Sequence, residues 1–147
     1  MTNPASGLIN HISLSCSDLA KSRKFYDFFL GELLGYHTIM DQPYCVMYAK
    51  SGALICISPG NSTPHHKTNP GLHHLALSVA THDEIDQYHA KIVDFYKTHG
   101  GGTAEKSTHG HVVDAPSLYP QYAKHYYAVF FTDPDGIKLE LVYNEGY

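Results

Sequence analysis

Asn10-His11-Ile12-Ser13-Leu14-Ser15 and His73-His74-Leu75-Ala76-Leu77-Ser78 are one pattern written twice. In the first, Ile12, Leu14 and Cys16 alternate onto one face of a strand, with His11, Ser13 and Ser15 on the other. In the second, Leu75, Leu77 and Val79 take the apolar places, while His74, Ala76 and Ser78 take the opposite ones. Each segment runs into a helical pattern. Asp18 can cap the first helix, whose apolar residues Leu19, Phe25, Phe29 and Leu33 keep helical spacing up to Gly35. Thr81-His82-Asp83-Glu84 fits a capping box for the second, which stops at Gly100-Gly101-Gly102.

Strand signals follow each helix. After the first they fall at residues 37–40, 45–50 and 54–58. After the second they fall at 103–106, 126–132 and 137–143, the last two joined by the turn Asp133-Pro134-Asp135-Gly136. Residues 106–125 are left as a long loop holding His109, His111, Asp114, Tyr119, Tyr122 and His125, long enough to act as a lid. The expected order is therefore βαβββ twice, in modules 8–59 and 72–143, linked by the Pro-, Gly- and His-rich stretch 60–71. The fold class is α+β. Each module covers one face of its sheet with a helix, and two curled mixed sheets would enclose a cleft between their polar faces.

Bulk properties agree with one domain over residues 1–147. At 147 residues, 43% hydrophobic and 16% charged, the chain can bury a real core but is short for two independent ones. A net charge of −4 without clustered Lys or Arg gives no electrostatic reason to bind nucleic acid. No apolar run approaches a membrane span, and Met1 to Gly7 lacks the features of a signal peptide, so a cytoplasmic location is expected. The odd trio Cys16, Cys45 and Cys56 reads as reduced, mostly buried thiols.

Twelve histidines are the compositional excess, and position must separate surface residues from ligands. On the last strand Lys138, Glu140 and Val142 alternate with Leu139 and Leu141. A carboxylate in mid-strand needs solvent, a partner or a cation. Repeat parity puts Glu140 on the polar face with His11 and His74, and two imidazoles with one carboxylate suit a divalent first-row metal. His73 falls by the same parity on the face of Leu75 and Leu77, which favours His74 as ligand.

The segments Ile9–Leu14, Asp18-Leu19…Ser22…Phe25-Tyr26, Leu72–Leu77 and Phe131–Glu140 resemble the vicinal-oxygen-chelate superfamily. That group includes glyoxalase I, extradiol dioxygenases, fosfomycin-resistance thiol transferases and bleomycin-binding proteins. The resemblance spans nearly the whole chain and implies paired βαβββ modules, one divalent ion (Zn, Ni, Mn or Fe) on His11, His74 and Glu140, and a homodimer. The lyase branch would bring glutathione as co-substrate.

Departures from the family pattern narrow the reaction. Matching Leu54-Ile55-Cys56-Ile57 to Lys138-Leu139-Glu140-Leu141 puts Cys56 where glyoxalase I has a fourth, carboxylate ligand. Cys56 is a possible thiolate ligand there, though inert packing is the favoured reading. Phe130 stands ten residues before Glu140, where extradiol dioxygenases and fosfomycin transferases usually carry tyrosine, and no arginine follows the last strand. Bleomycin-binding relatives generally lack the triad that this chain keeps.

The leading expectation is lactoylglutathione-lyase-like Lewis-acid chemistry on a small substrate that chelates through adjacent oxygens, with Glu140 shuttling a proton. Ser13, Ser15, Ser78, Tyr122, Tyr126 and Phe130 are the expected pocket residues. A non-catalytic antibiotic- or toxin-binding protein and an Fe(II) ring-cleaving dioxygenase are the alternatives.

Overall fold

The computed structural model describes residues 6–103 and 107–145. They form two compact units, residues 1–63 and 64–147, and each carries one four-stranded sheet. The first contains β1 (His11–Cys16), α1 (Leu19–Tyr26), β2 (His37–Gln42), β3 (Cys45–Lys50) and β4 (Ala53–Pro59). The second contains β5 (Leu75–Ser78), α2 (His82–Gly100), β6 (Val112–Leu118), β7 (Tyr127–Thr132) and β8 (Lys138–Tyr143).

The two sheets have one topology. Strand order is β1-β4-β3-β2 in the first and β5-β8-β7-β6 in the second, with the first and last strands of each module parallel and the other pairs antiparallel. Register makes the repeat exact to the residue. Two residues after His11, Ser13 lies opposite Cys56; two residues after His74, Ala76 lies opposite Glu140. The architecture is α+β, as the twofold sequence pattern requires.

Helix ends follow from their capping chemistry. Asp18 accepts from Lys21 N–H at 3.0 Å, and Thr81 Oγ1 accepts from Glu84 N–H at 3.1 Å. The Glu84 carboxylate accepts from Ala80 N–H at 2.9 Å, one residue outside the usual capping-box partner. Gly101, at φ +65°, ends α2 in the left-handed conformation that favours glycine.

The first helix does not run unbroken to Gly35. It changes pitch at Asp27, and Asp27–Leu33 is π-helical. The wider turn turns Phe29 and Leu30 inward together, with Leu33 and Leu34 below them, all buried. It also places Asp27 to accept from Tyr48 O–H at 2.7 Å and from Arg23 at 3.4 Å.

Each core lies between one helix and one sheet. In the first unit Phe25, Tyr26 and Phe29 are buried with Val46, Tyr48, Ile55 and Ile57. In the second, α2 lies against β6, β7 and β8, and buries Ile85, Ile92 and Tyr96 with Val129, Phe131, Leu139 and Leu141. Truncating one such aromatic to alanine costs about 3–5 kcal/mol. Tyr96 O–H donates to Thr132 O at 2.6 Å, so its buried hydroxyl is satisfied.

About a third of the stretch expected as a long loop is strand. β6 occupies Val112–Leu118 and pairs only with β7, through a register that shifts twice. Its sequence, with Asp114 and Pro116, carries a weak strand signal because an edge strand tolerates a proline and a broken ladder. Of the strand expected at 103–106, Thr103 forms a bridge and residues 104–106 lie outside those described. Outside β6, the described part of the loop is residues 107–111 and the short connection from Tyr119 to Tyr126, the latter closed by Tyr119 N–H donating to Tyr126 O at 2.8 Å. Among the described residues no helix is long and apolar enough to cross a membrane.

Candidate functional site

Glu140 is the unusual residue of the second sheet. It sits in mid-β8 between the buried Leu139 and Leu141, and is itself only 1% exposed. A buried carboxylate must be paired or must neutralise. Both of its oxygens have partners. Tyr126 O–H donates to Oε1 at 2.5 Å, and His74 Nε2 stands 3.1 Å from Oε2.

His74 immediately precedes β5, which is held parallel to β8 with Ala76 opposite Glu140. Its other ring nitrogen, Nδ1, is 2.7 Å from Nδ1 of His73, and the two rings meet edge to face. One of these nitrogens donates and the other accepts. With the proton on His73 Nδ1, His74 Nδ1 accepts and its Nε2–H donates to Glu140 Oε2. His73 is pushed below the ordinary histidine pKa, chiefly by burial and then by the neighbouring charges of His74, Lys138 and Lys67.

Around this pair is a cavity of about 290 Å³ lined by His73, His74, Tyr122, Tyr126, Phe130, Lys138 and Glu140. Phe130 is directly across the ladder from Glu140. Tyr122 meets Tyr126 edge to face at 5.3 Å and stacks on Tyr119 at 5.8 Å, so part of the cavity lining is aromatic. Lys138 holds its ammonium 4.0 Å above the centre of the Phe130 ring.

The expected site residues divide by unit. His74, Glu140, Tyr122, Tyr126 and Phe130 are brought together in the second unit. Ser78 ends β5, exposed and outside the cavity lining. His11, Ser13 and Ser15 belong to β1 of the first unit; His11 is exposed, with Nδ1 2.9 Å from Asn10 Oδ1. Cys56, at the register position that corresponds to Glu140, is buried, and burial pushes its thiol pKa up. A protonated thiol is a poor metal ligand, in keeping with packing as its role. Cys16, Cys45 and Cys56 are all free thiols.

Two lining residues escaped the sequence reading. His73 was expected on the apolar face by alternation, yet it lines the cavity beside His74. The ladder of β5 begins only at Leu75, so the pleat does not dictate where residues 73 and 74 point. Lys138 had a usable signal, since it shares the β8 face of Glu140.

The donor set can be tested against a divalent ion. Imidazole nitrogen and carboxylate oxygen at 3.1 Å are spaced as neighbouring ligands of one ion with bonds of about 2.1 Å would be. His73 and Tyr126 supply the outer hydrogen bonds that orient such ligands. The pair therefore fits two coordination positions. Among the described residues, no three His, Cys, Asp or Glu side chains are gathered into a metal-holding group.

With this geometry in place, the similarities to known proteins are specific. Residues 8–141 match the model of the Glyoxalase/Bleomycin resistance protein/Dioxygenase superfamily, and the chain belongs to that superfamily. It is 32% identical over 139 residues to the uncharacterised protein YqjT of Bacillus subtilis (strain 168), a match covering 91% of this chain and 97% of that one. Among solved structures, a glyoxalase/bleomycin resistance protein from Albidiferax ferrireducens T118 is similar in fold at TM-score 0.69 and 19% identity, over 92% of this chain and 98% of that one. A lactoylglutathione lyase from Agrobacterium tumefaciens is similar at TM-score 0.62 and 18% identity, over 95% of each chain.

Proposed function

We propose that this protein is a metal-dependent enzyme that performs lactoylglutathione-lyase-like chemistry on a small substrate bearing adjacent oxygens. The observation that carries this reading is the buried Glu140 with His74 Nε2 at 3.1 Å, on the wall of an aromatic-lined cavity. His74 and Glu140 would hold a divalent ion (Zn, Ni, Mn or Fe). His11 is the third proposed ligand, on the strength of the family resemblance and its equivalent place in the repeat. When bound, the ion supplies Lewis acidity that polarises a substrate oxygen.

The chain's own groups perform the rest. Tyr126 O–H donates to Glu140 Oε1 and fixes the orientation of the carboxylate. Glu140 is then the group that accepts a proton from the substrate carbon and returns it to the neighbouring one, as an enolisation requires. Tyr122 and Tyr126 present hydroxyls to the same cavity, able to donate to an oxygen on which charge develops. Glutathione would enter as the co-substrate that makes the hemithioacetal. A homodimer is part of the proposal; exposed Leu8, Ile9, Ile39 and Met40 in the first unit provide apolar surface for it.

A second reading is a non-catalytic binding protein, favoured by the aromatic lining of the cavity. Elemental analysis of the wild type beside His74→Ala, His11→Ala and Glu140→Gln separates the two. About one ion per chain, lost in all three variants together with turnover of a methylglyoxal–glutathione hemithioacetal, is the expected result. Equally low metal in the wild type and variants after incubation with Zn, Ni, Mn and Fe overturns the enzyme reading and leaves the binding protein. Loss of metal in His74→Ala and Glu140→Gln, but not His11→Ala, removes His11 from the site. Bound iron with oxygen consumption in place of hemithioacetal turnover replaces the lyase with an oxygenase.

A further inference from the structure

Lys138 is the cavity residue without an assigned task. It lies on β8 two residues before Glu140, lines the same cavity, and is half-buried. Its ammonium rests over Phe130 and makes no hydrogen bond or ion pair among the described residues. Glu140 does not supply one. Its Oε1 is engaged by Tyr126 and its Oε2 faces His74, and no Glu140 oxygen comes within ion-pair distance of Lys138. Asp114 acts on Lys138 electrostatically but also without an ion pair, and Lys67 adds a second positive charge to the neighbourhood.

A half-buried ammonium is costly unless an anion or a π-face compensates it, and the single ring of Phe130 compensates only one side. The remaining N–H donors have no acceptor among the described residues. The Tyr122, Tyr126 and Phe130 rings that line the same cavity offer faces and edges to a planar ligand. One ammonium, a point charge with rotatable donors, matches a singly charged carboxylate better than a phosphate dianion, which calls for a fork of donors.

We propose that the cavity takes a small aromatic carboxylate, with its carboxylate on Lys138 Nζ and its ring among Phe130, Tyr122 and Tyr126. This goes beyond the function given above by naming a ligand class for the same cavity, and it rests on that cavity being the binding site.

The test is calorimetric titration of the full-length protein, as purified and metal-supplemented, with benzoate and with its neutral counterpart benzamide. Metal content is measured on the same samples. Wild type should bind benzoate about 10-fold or more tighter than benzamide, the contribution expected of one charge-assisted hydrogen bond. Lys138→Met should abolish that preference while metal content and benzamide affinity stay within about twofold, and Lys138→Arg should keep most of it. Equal binding of the two probes by wild type, failure of both to bind, or a preference that survives in Lys138→Met overturns the proposal. Loss of the metal reading shows separately, as absent metal in the wild type whatever the probes do.

Discussion

Tyr126 O–H donates to Glu140 Oε1 at 2.5 Å while the other oxygen of the same carboxylate faces His74 at 3.1 Å. Phe130, directly across the ladder from Glu140, has no hydroxyl to offer. A tyrosine hydroxyl reaches the carboxylate nonetheless, from four residues earlier in the chain.

Tyr126→Phe should leave Glu140 buried with one oxygen unpaired. A hydrogen bond to a charged group contributes about 1.5–3 kcal/mol, so urea unfolding should show a loss in that range. Metal affinity, measured by competition with a chromogenic chelator, should fall about 10–100-fold, as when an outer partner of a ligand is removed. Unchanged values in both measurements would remove Tyr126 from the site.

Gly110 controls the entry to β6. Its φ is +114°, and an added Cβ would lie 2.2 Å from Thr132 O and 3.1 Å from Asp133 O, both backbone atoms that cannot step aside. Gly110→Ala should cost at least about 2 kcal/mol and lower Tm by roughly 5 °C or more. A thermal melt indistinguishable from wild type would contradict this placement.

His89 on α2 is held below the ordinary histidine pKa, chiefly by burial, against a smaller opposing effect of Asp86. The folded state therefore favours the neutral ring relative to the unfolded value of about 6.5. Its stabilisation is complete above that value and is lost as pH falls through the lower folded pKa. An NMR titration should place the His89 midpoint below 6.5, and His89→Gln should lose less stability than wild type between pH 7.5 and 5.5. A midpoint at or above 6.5 would reverse the sign.

The thiols should react in a fixed order. Cys45 is half-buried while Cys16 and Cys56 are buried, and burial keeps Cys56 protonated. Under native conditions at pH 7.5, a disulfide reagent should modify Cys45 first, with Cys56 released only on unfolding. Cys56→Ala should keep the wild-type metal content; a loss would restore Cys56 as a ligand.

Much of the fold could be read from the chain because its signals are local. The alternation around Ile12 and Leu14 recurs around Leu75 and Leu77, Asp18 and Thr81 mark helix starts, and Asp133-Pro134-Asp135-Gly136 forces a hairpin. Asp133 Oδ1 indeed accepts from Asp135 and Ile137 N–H at 2.9 and 2.8 Å. Strand β6 was hidden because an edge strand can carry Asp114, Pro116 and two register shifts without losing its one partner. The change to π-helical pitch at Asp27 was hidden because spacings of four and five residues both bury an apolar row.

The sequence by itself determined the βαβββ repeat, the chemistry-bearing strand of Glu140, and the pairing of its place with Cys56 in the other module. Periodicity and parity are properties of the covalent chain, and they survive folding. Only the tertiary structure decided that Glu140 is buried rather than solvated, that Tyr126 and His74 divide its two oxygens, and that His73 and Lys138 stand beside them. Those relations join residues from the segment before β5, from β8 and from the turn before β7. They depend on strand register and on side-chain direction beyond the ends of the ladder, where the pleat no longer dictates a face.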